Sequence, residues 1–184
     1  DENFKIEIVN STNKQKRELY TKRLYSKLQR KGLLERDVDR LIRNDRIIWG
    51  SSMVECGDAD AMVTGNIRHY AASIEKLKKV VDPRPGEEIF GMTMITLKGK
   101  TILVADTNVQ DFPSPQRLVK VSKSCVRVAR LFGFDPKVAF LSHSTFGQPI
   151  TSRTKHIRDA VDILKKMNVD FKFDGDMQPD VALS

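Results

Sequence analysis

Lys137-Val138-Ala139-Phe140-Leu141-Ser142-His143-Ser144-Thr145-Phe146-Gly147 carries the reading that decides the fold. Five residues with an apolar centre predict a buried strand. Six mainly polar positions, with Phe146 the exception, then predict a loop, and a helix follows over Ser152 to Met167 with Ile157, Ala160, Val161 and Leu164 on one stripe. Asp170 to Phe173 predicts the next strand. Strand, loop, helix and strand in that order is the unit from which parallel sheets are built.

Working outward, Ser114-Pro115 opens another helix. Serine caps a helix N-terminus well, and proline suits the first helical position. Leu118, Val121, Cys125, Val128 and Phe132 follow in steps of three and four, and Gly133 ends the run. Before it, Glu88 to Leu97 and Thr101 to Asp106 predict two strands joined by Lys98-Gly99-Lys100, a hairpin. Asp82-Pro83-Arg84-Pro85-Gly86 is a breaker. Upstream of it, Ile67, Tyr70, Ala71, Ile74, Leu77 and Val81 stand at helical spacing.

The first part of the chain alternates in the same way. Lys5 to Val9 has strand periodicity, and Ala61-Met62-Val63-Thr64 is a short apolar run consistent with a buried strand. Helices are predicted over Lys14 to Arg30, with Tyr20, Leu24 and Leu28 on one stripe and Gly32 as terminator, over Glu35 to Arg43, and over Asp45 to Cys56. The whole predicts an α/β fold with a largely parallel sheet and one antiparallel hairpin.

Composition narrows the classes. The chain has 184 residues, 40% hydrophobic and 30% charged, enough for a real core. It holds no apolar run of about 18 residues, so no membrane helix is expected. Two cysteines, in apolar-patterned segments, predict reduced thiols in a cytoplasmic setting rather than a disulfide framework. The start lacks an initiator Met and a signal-peptide pattern, and both ends are abrupt, so an excised segment of a longer polypeptide is expected. The net charge of +8 is strongest at Lys14-Gln15-Lys16-Arg17 and Gln29-Arg30-Lys31. It reads as a solvated basic surface or as a contact for an anion. A nucleic-acid module is the weaker alternative, because aromatic residues are not interleaved with the basic ones and no zinc-finger spacing occurs.

The chemistry-bearing residues allow several readings. Strand-end loops in parallel sheets gather where ligands bind, and a helix N-terminus there suits phosphate, although most such loops are plain connections. Ser142-His143-Ser144 does not read as a nucleophile with its base, since neighbours leaving a strand point to opposite sides and G-x-S-x-G is absent. Asp58, Asp60, Asp106, Asp174, Asp176 and Asp180 lie near predicted strand ends, where turn roles compete with Mg²⁺ ligation. With three His and no Cys/His spacing, no metal site is expected. No Walker or G-x-G-x-x-G motif occurs.

Four segments together resemble the phosphate acetyl/butyryltransferase family. They are Glu55 to Gly65; Val104-Ala105-Asp106-Thr107-Asn108-Val109 with Pro113 and Pro115; Lys137 to Gly147; and Phe173-Asp174-Gly175-Asp176-Met177-Gln178-Pro179-Asp180-Val181-Ala182-Leu183. Their order and spacing follow the family over nearly the whole chain. Within it, the chain is most similar to the C-terminal phosphotransacetylase-like domain of bacterial NADP-dependent malic enzymes. Met177 stands where transacetylases usually have Leu, and Asp106 to Val109 is close to the malic-enzyme form. Glu75 stands where transacetylases carry one anion-binding arginine, and the position of a second, before the Gly that matches Gly32, falls near Leu28.

The resemblance implies a three-layer α/β/α architecture with a mostly parallel mixed sheet, like isocitrate and isopropylmalate dehydrogenases. Residues 1–184 would be mainly its second, dimer-forming subdomain with parts of the first. It implies a non-catalytic domain that binds acetyl-CoA, oligomerises, and regulates N-terminal malic enzyme domains of the same chain. Those would decarboxylate malate to pyruvate with NADP and Mg²⁺ or Mn²⁺, so this segment needs no cofactor. The remaining catalytic segment of transacetylases would lie beyond Ser184. An active phosphate acetyltransferase is the alternative. Ligand contacts are expected at Gly65, Asn66, Arg68, Ser142, Ser144, Thr145 and Gly147, with Asp106, Asp174, Gln178 and Asp180 shaping the cleft.

Overall fold

A computed structural model describes residues 5–65, 67–106, 111–147 and 150–184. The chain divides into two compact units, Asp1–Asp82 and Pro83–Ser184. The sequence pattern showed a breaker at this boundary but not two units.

The first unit is helical over its described residues: α1 (Lys14–Leu28), α2 (Glu35–Asn44), α3 (Arg46–Glu55) and α4 (Tyr70–Val80), with a 3₁₀ turn at Gln29–Lys31. Asn13 caps α1 by accepting from the Lys16 N–H. Gly32 closes the 3₁₀ turn at φ 84°, a left-handed conformation that glycine adopts without steric cost. Tyr20, Leu24 and Leu28 fall on one stripe of α1 and meet Val38 and Ile42 of α2, Ile48 and Trp49 of α3, and Val80 of α4. The Tyr20 and Trp49 rings stand edge to face at 5.0 Å. Asp45 caps α3 through the Ile47 and Ile48 N–H groups and also takes Lys76 of α4 and Arg68.

Two expected strands are absent from this unit. Lys5 to Val9 and Ala61 to Thr64 form no ladder, and Ile6, Ile8 and Val63 are exposed. Alternation supplies a strand's faces but not its neighbour, and an unpaired strand leaves its backbone groups to water. The helix expected from Ile67 begins at Tyr70 instead, and Ile67 is exposed.

The second unit is α/β. Strands β1 (Met92–Leu97) and β2 (Lys100–Ala105) form the expected antiparallel hairpin, starting four residues later than Glu88. Residues 87–91 are instead held by α5 (Pro115–Leu131): Arg117 donates to Glu88 and to the Ile89 carbonyl, and Ser124 and Arg127 donate to Glu87. Strands β3 (Lys137–Leu141) and β4 (Lys172–Met177) pair in parallel, with α6 (Ser152–Met167) between them in sequence and a short α7 (Pro179–Ala182) at the end. Ser114 and Thr151 cap α5 and α6, the latter in a capping box with Thr154. Val119, Phe140, Ile157, Ala160, Val161 and Leu164 make the core. On α5 the expected Val121 is buried, and Leu118, Cys125 and Val128 are half-buried, but Phe132 is exposed, and Val119, Ser122, Ser124, Val126 and Ala129 are buried as well. The α/β class holds, with two small two-stranded sheets among the described residues rather than one larger sheet.

Candidate functional site

The site grows from the end of β4. Phe140 pairs with Gly175 and Leu141 with Met177, so Asp176 is an extra residue, a bulge. A bulge re-aims the side chain it carries. Gly175 makes this possible: its φ is 154°, and a Cβ there would lie 2.7 Å from the Phe140 Cβ. The sequence Asp174-Gly175-Asp176 is thus a close strand approach followed by a redirected carboxylate.

Asp176 is 1% exposed and turns into the loop that leaves β3. It accepts a very short bond from the Ser144 hydroxyl and a bond from Arg158 Nε at 3.2 Å, with Ser142 Oγ at 3.4 Å. Its carbonyl accepts the Phe146 N–H at 2.8 Å. Arg158, on α6, also donates to the Gly147 carbonyl at 2.6 Å. Ser142 Oγ accepts the Ser144 N–H and lies 2.9 Å from the Ser144 carbonyl; its single proton serves that bond in preference to the longer one. Gln178 secures the outer side, its N–H donating to Thr145 Oγ1 and its amide to the His143 carbonyl.

Burial pushes the Asp176 carboxyl up, but the Ser144 hydroxyl, the Arg158 guanidinium and a backbone N–H outweigh it, and the group is held below the usual carboxylate range. Asp176 is therefore a fixed anion at neutral pH. It cannot serve as a general acid there, and the serine hydroxyls turn to it rather than to a histidine base. The loop is a hydrogen-bonded frame, and the partly exposed Arg158 guanidinium at its edge is paired with Asp176, as Arg68 is with Asp45.

Ser142, Ser144, Thr145 and Gly147 come together in this frame, and Gln178 holds it. Asp174 accepts the Gly175 N–H and is otherwise exposed; Asp180 lies in the first turn of α7. Asp106 is not part of the frame. At φ 58° it sits at the end of β2, and Arg117 binds it at 3.2 Å while also holding Glu88. Gly65 and Arg68 belong to the first unit. Arg68 is paired with Asp45 at 3.1 Å, so its charge already has a partner. Asn66 lies outside the described residues, as do Thr107, Asn108 and Val109.

The residues missed as organisers are Asp176 and Arg158. The spacing Asp174-Gly175-Asp176 was a usable signal, since Gly inside a strand pattern marks a bulge or close approach. Arg158 gave none, because its partners are 11 and 18 residues away. Leu28, near which the family's second arginine position falls, is 2% exposed in the first unit's core, and Glu75 is exposed on α4. Among the described residues no group of three or more His, Cys, Asp or Glu could hold a metal ion. No helix among them is long and apolar enough to cross a membrane.

The family model for phosphate acetyl/butaryl transferase matches residues 2–184. An NADP-dependent malic enzyme from Rhizobium meliloti is 45% identical over 97% of this chain, which spans 24% of that protein. A phosphate acetyltransferase from Helicobacter pylori is 27% identical over 97% of this chain and 34% of its own length. The crystal structure of a phosphotransacetylase from Streptococcus pyogenes superposes with a TM-score of 0.72 at 26% identity, covering 89% of this chain and 53% of that one. The chain thus spans about a quarter of the length of the malic enzyme it matches. It belongs to the phosphate acetyl/butaryl transferase family.

Proposed function

We propose that this chain is the phosphotransacetylase-like domain of an NADP-dependent malic enzyme, and that it regulates and oligomerises that enzyme instead of transferring acetyl groups. The observation that carries the reading is Glu75, exposed on α4 where transacetylases carry an anion-binding arginine: a carboxylate there would repel acetyl phosphate. Near the second such position, Leu28 is sealed in an apolar core. The identity of 45% to a malic enzyme against 27% to a phosphate acetyltransferase supports the same side.

In this reading the frame from Ser142 to Gly147, with Arg158 at its edge, seats part of acetyl-CoA as effector. Neighbouring malic enzyme domains of the same polypeptide bind NADP and Mg²⁺ or Mn²⁺ and convert malate to pyruvate. The effect of acetyl-CoA is then a coupling free energy between two sites. The longer polypeptide adopts the three-layer α/β/α architecture of isocitrate and isopropylmalate dehydrogenases, is cytoplasmic, and forms a homo-oligomer through this domain.

The test is malate-dependent NADPH formation by the full-length protein, titrated with acetyl-CoA. A saturable change in rate, in either direction, supports regulation. A rate indifferent to acetyl-CoA would remove the effector assignment. A full-length protein that makes acetyl-CoA from acetyl phosphate and CoA, and does not oxidise malate, would return the family's transferase reading.

A further inference from the structure

The first unit holds a cavity of about 180 Å³ that the reading above does not use. Leu24, Val80 and the Tyr20 ring supply its apolar floor, and all three are almost fully buried. Its size limits the occupant. A hole of about 150 Å³ takes a benzene-sized molecule, and clefts for drug-sized ligands begin at about 300 Å³. A nucleotide or a coenzyme A is too large.

The polar lining is arranged by sign. Arg23 and Lys27 stand one helical turn apart on α1 and so face the same way. Glu55, in the last turn of α3, and Asp82, beyond the end of α4, supply the opposing charge. The four formal charges sum to zero, so a net-neutral ligand suits the cavity better than a lone anion or cation.

The two ion pairs differ. Lys27 is locked, 2.7 Å from Asp82 and 2.9 Å from the Val80 carbonyl. Arg23 and Glu55 approach only to 3.6 Å, too long for a good hydrogen bond, and the Arg23 side chain is 65% exposed. This pair can open to admit a molecule that offers each partner a shorter, charge-assisted bond. Cys56 lines the same cavity.

We infer that this cavity binds a small zwitterion, an α-amino acid with a short aliphatic side chain. Its carboxylate meets Arg23, its ammonium meets Glu55, and its side chain rests on Leu24 and Val80. Burial, first, and the Asp58 and Glu55 charges raise the Cys56 thiol against the opposing pull of Arg23, so Cys56 is a mostly protonated wall residue that alkylates slowly through its small thiolate fraction. The site is independent of the acetyl-CoA assignment.

The probe is L-valine, added to the full-length polypeptide. Calorimetry reads binding, and N-ethylmaleimide labelling of Cys56, followed by peptide mass, reports where the probe sits. Valine is expected to bind saturably and to slow Cys56 labelling several-fold while leaving Cys125 unchanged. Isovalerate and isobutylamine, each with one of valine's two charges, should do neither. Arg23→Gln and Glu55→Gln, both at the accessible rim, should each weaken valine by about tenfold or more. The inference is overturned if valine, alanine and leucine all leave Cys56 labelling unchanged. Binding without Cys56 protection, single-charge analogues that protect as well as valine, or rim variants that bind like the wild type would overturn it equally.

Discussion

Asp45 in the first unit and Asp176 in the second are both carboxylates largely withdrawn from water, and the two are used differently. Asp45 caps α3 and ties Lys76 of α4 and Arg68 to it, so its work is to fix helices to one another. Asp176 gathers Ser144, Arg158 and a loop N–H, so its work is to fix a loop. In both, burial raises the carboxyl and bonds to cations and donors overcome it, leaving the group below its ordinary range. The chemistry is shared; what differs is what it holds still. A carboxylate spent on helix packing fixes elements to one another, whereas the loop that Asp176 holds is, in the proposed reading, the surface that meets a ligand.

The largest way to break this comparison is Asp176→Ala. It leaves the partly exposed Arg158 without its buried partner and frees the loop, at an expected cost of about 4 kcal/mol. Hydrogen exchange resolved by peptide checks it: protection should fall most in residues 137–147 and 172–177. If protection in α1 to α3 fell as much, the two carboxylates would not have separate roles. Leu28→Ala sharpens the other side. It opens a cavity in the first core and should cost about 3 kcal/mol, read as a shift in the urea midpoint.

How much of this was legible in the sequence depended on range. Ser114, Thr151 and Gly32 announced helix ends because capping is local. Ser152 to Met167 came out as a helix over that very span. The loop from Ser142 to Gly147 was also legible, as a polar break between a strand and a helix. Lys5 to Val9 and Ala61 to Thr64 misled, because period-two alternation is a property of one segment while a strand is a property of two. The bulge at Asp176 was signalled by Gly175 inside a strand pattern, but its meeting with Arg158 escaped because it depends on α6 returning beside the loop, which spacing does not encode. The Glu88 to Gly91 segment read as strand but is held by α5 through Arg117, and the preceding Glu87 by Ser124 and Arg127.

Smaller effects refine the comparison further. Ser144→Ala removes the hydroxyl that Asp176 accepts and should cost about 2 kcal/mol, measured by chemical denaturation. Asp45→Ala removes a helix cap and should cost about 1.5 kcal/mol, with exchange accelerated at the start of α3. Acid gives the gentlest test. Both carboxylates are depressed in the folded state, so their contribution is full above the unfolded value of about 4 and fades as pH falls through the folded values. Stability should therefore decline below about pH 4, and Asp176→Asn should flatten that decline.

The claim that this family member regulates rather than transfers is tested most directly by acyl transfer itself. Acetyl phosphate and CoA are given to a full-length preparation shown to oxidise malate, and acetyl-CoA formation is followed. Leu28 in the core and Glu75 on the surface predict no acetyl-CoA above the uncatalysed rate. Enzymatic formation of acetyl-CoA in that preparation would contradict the account.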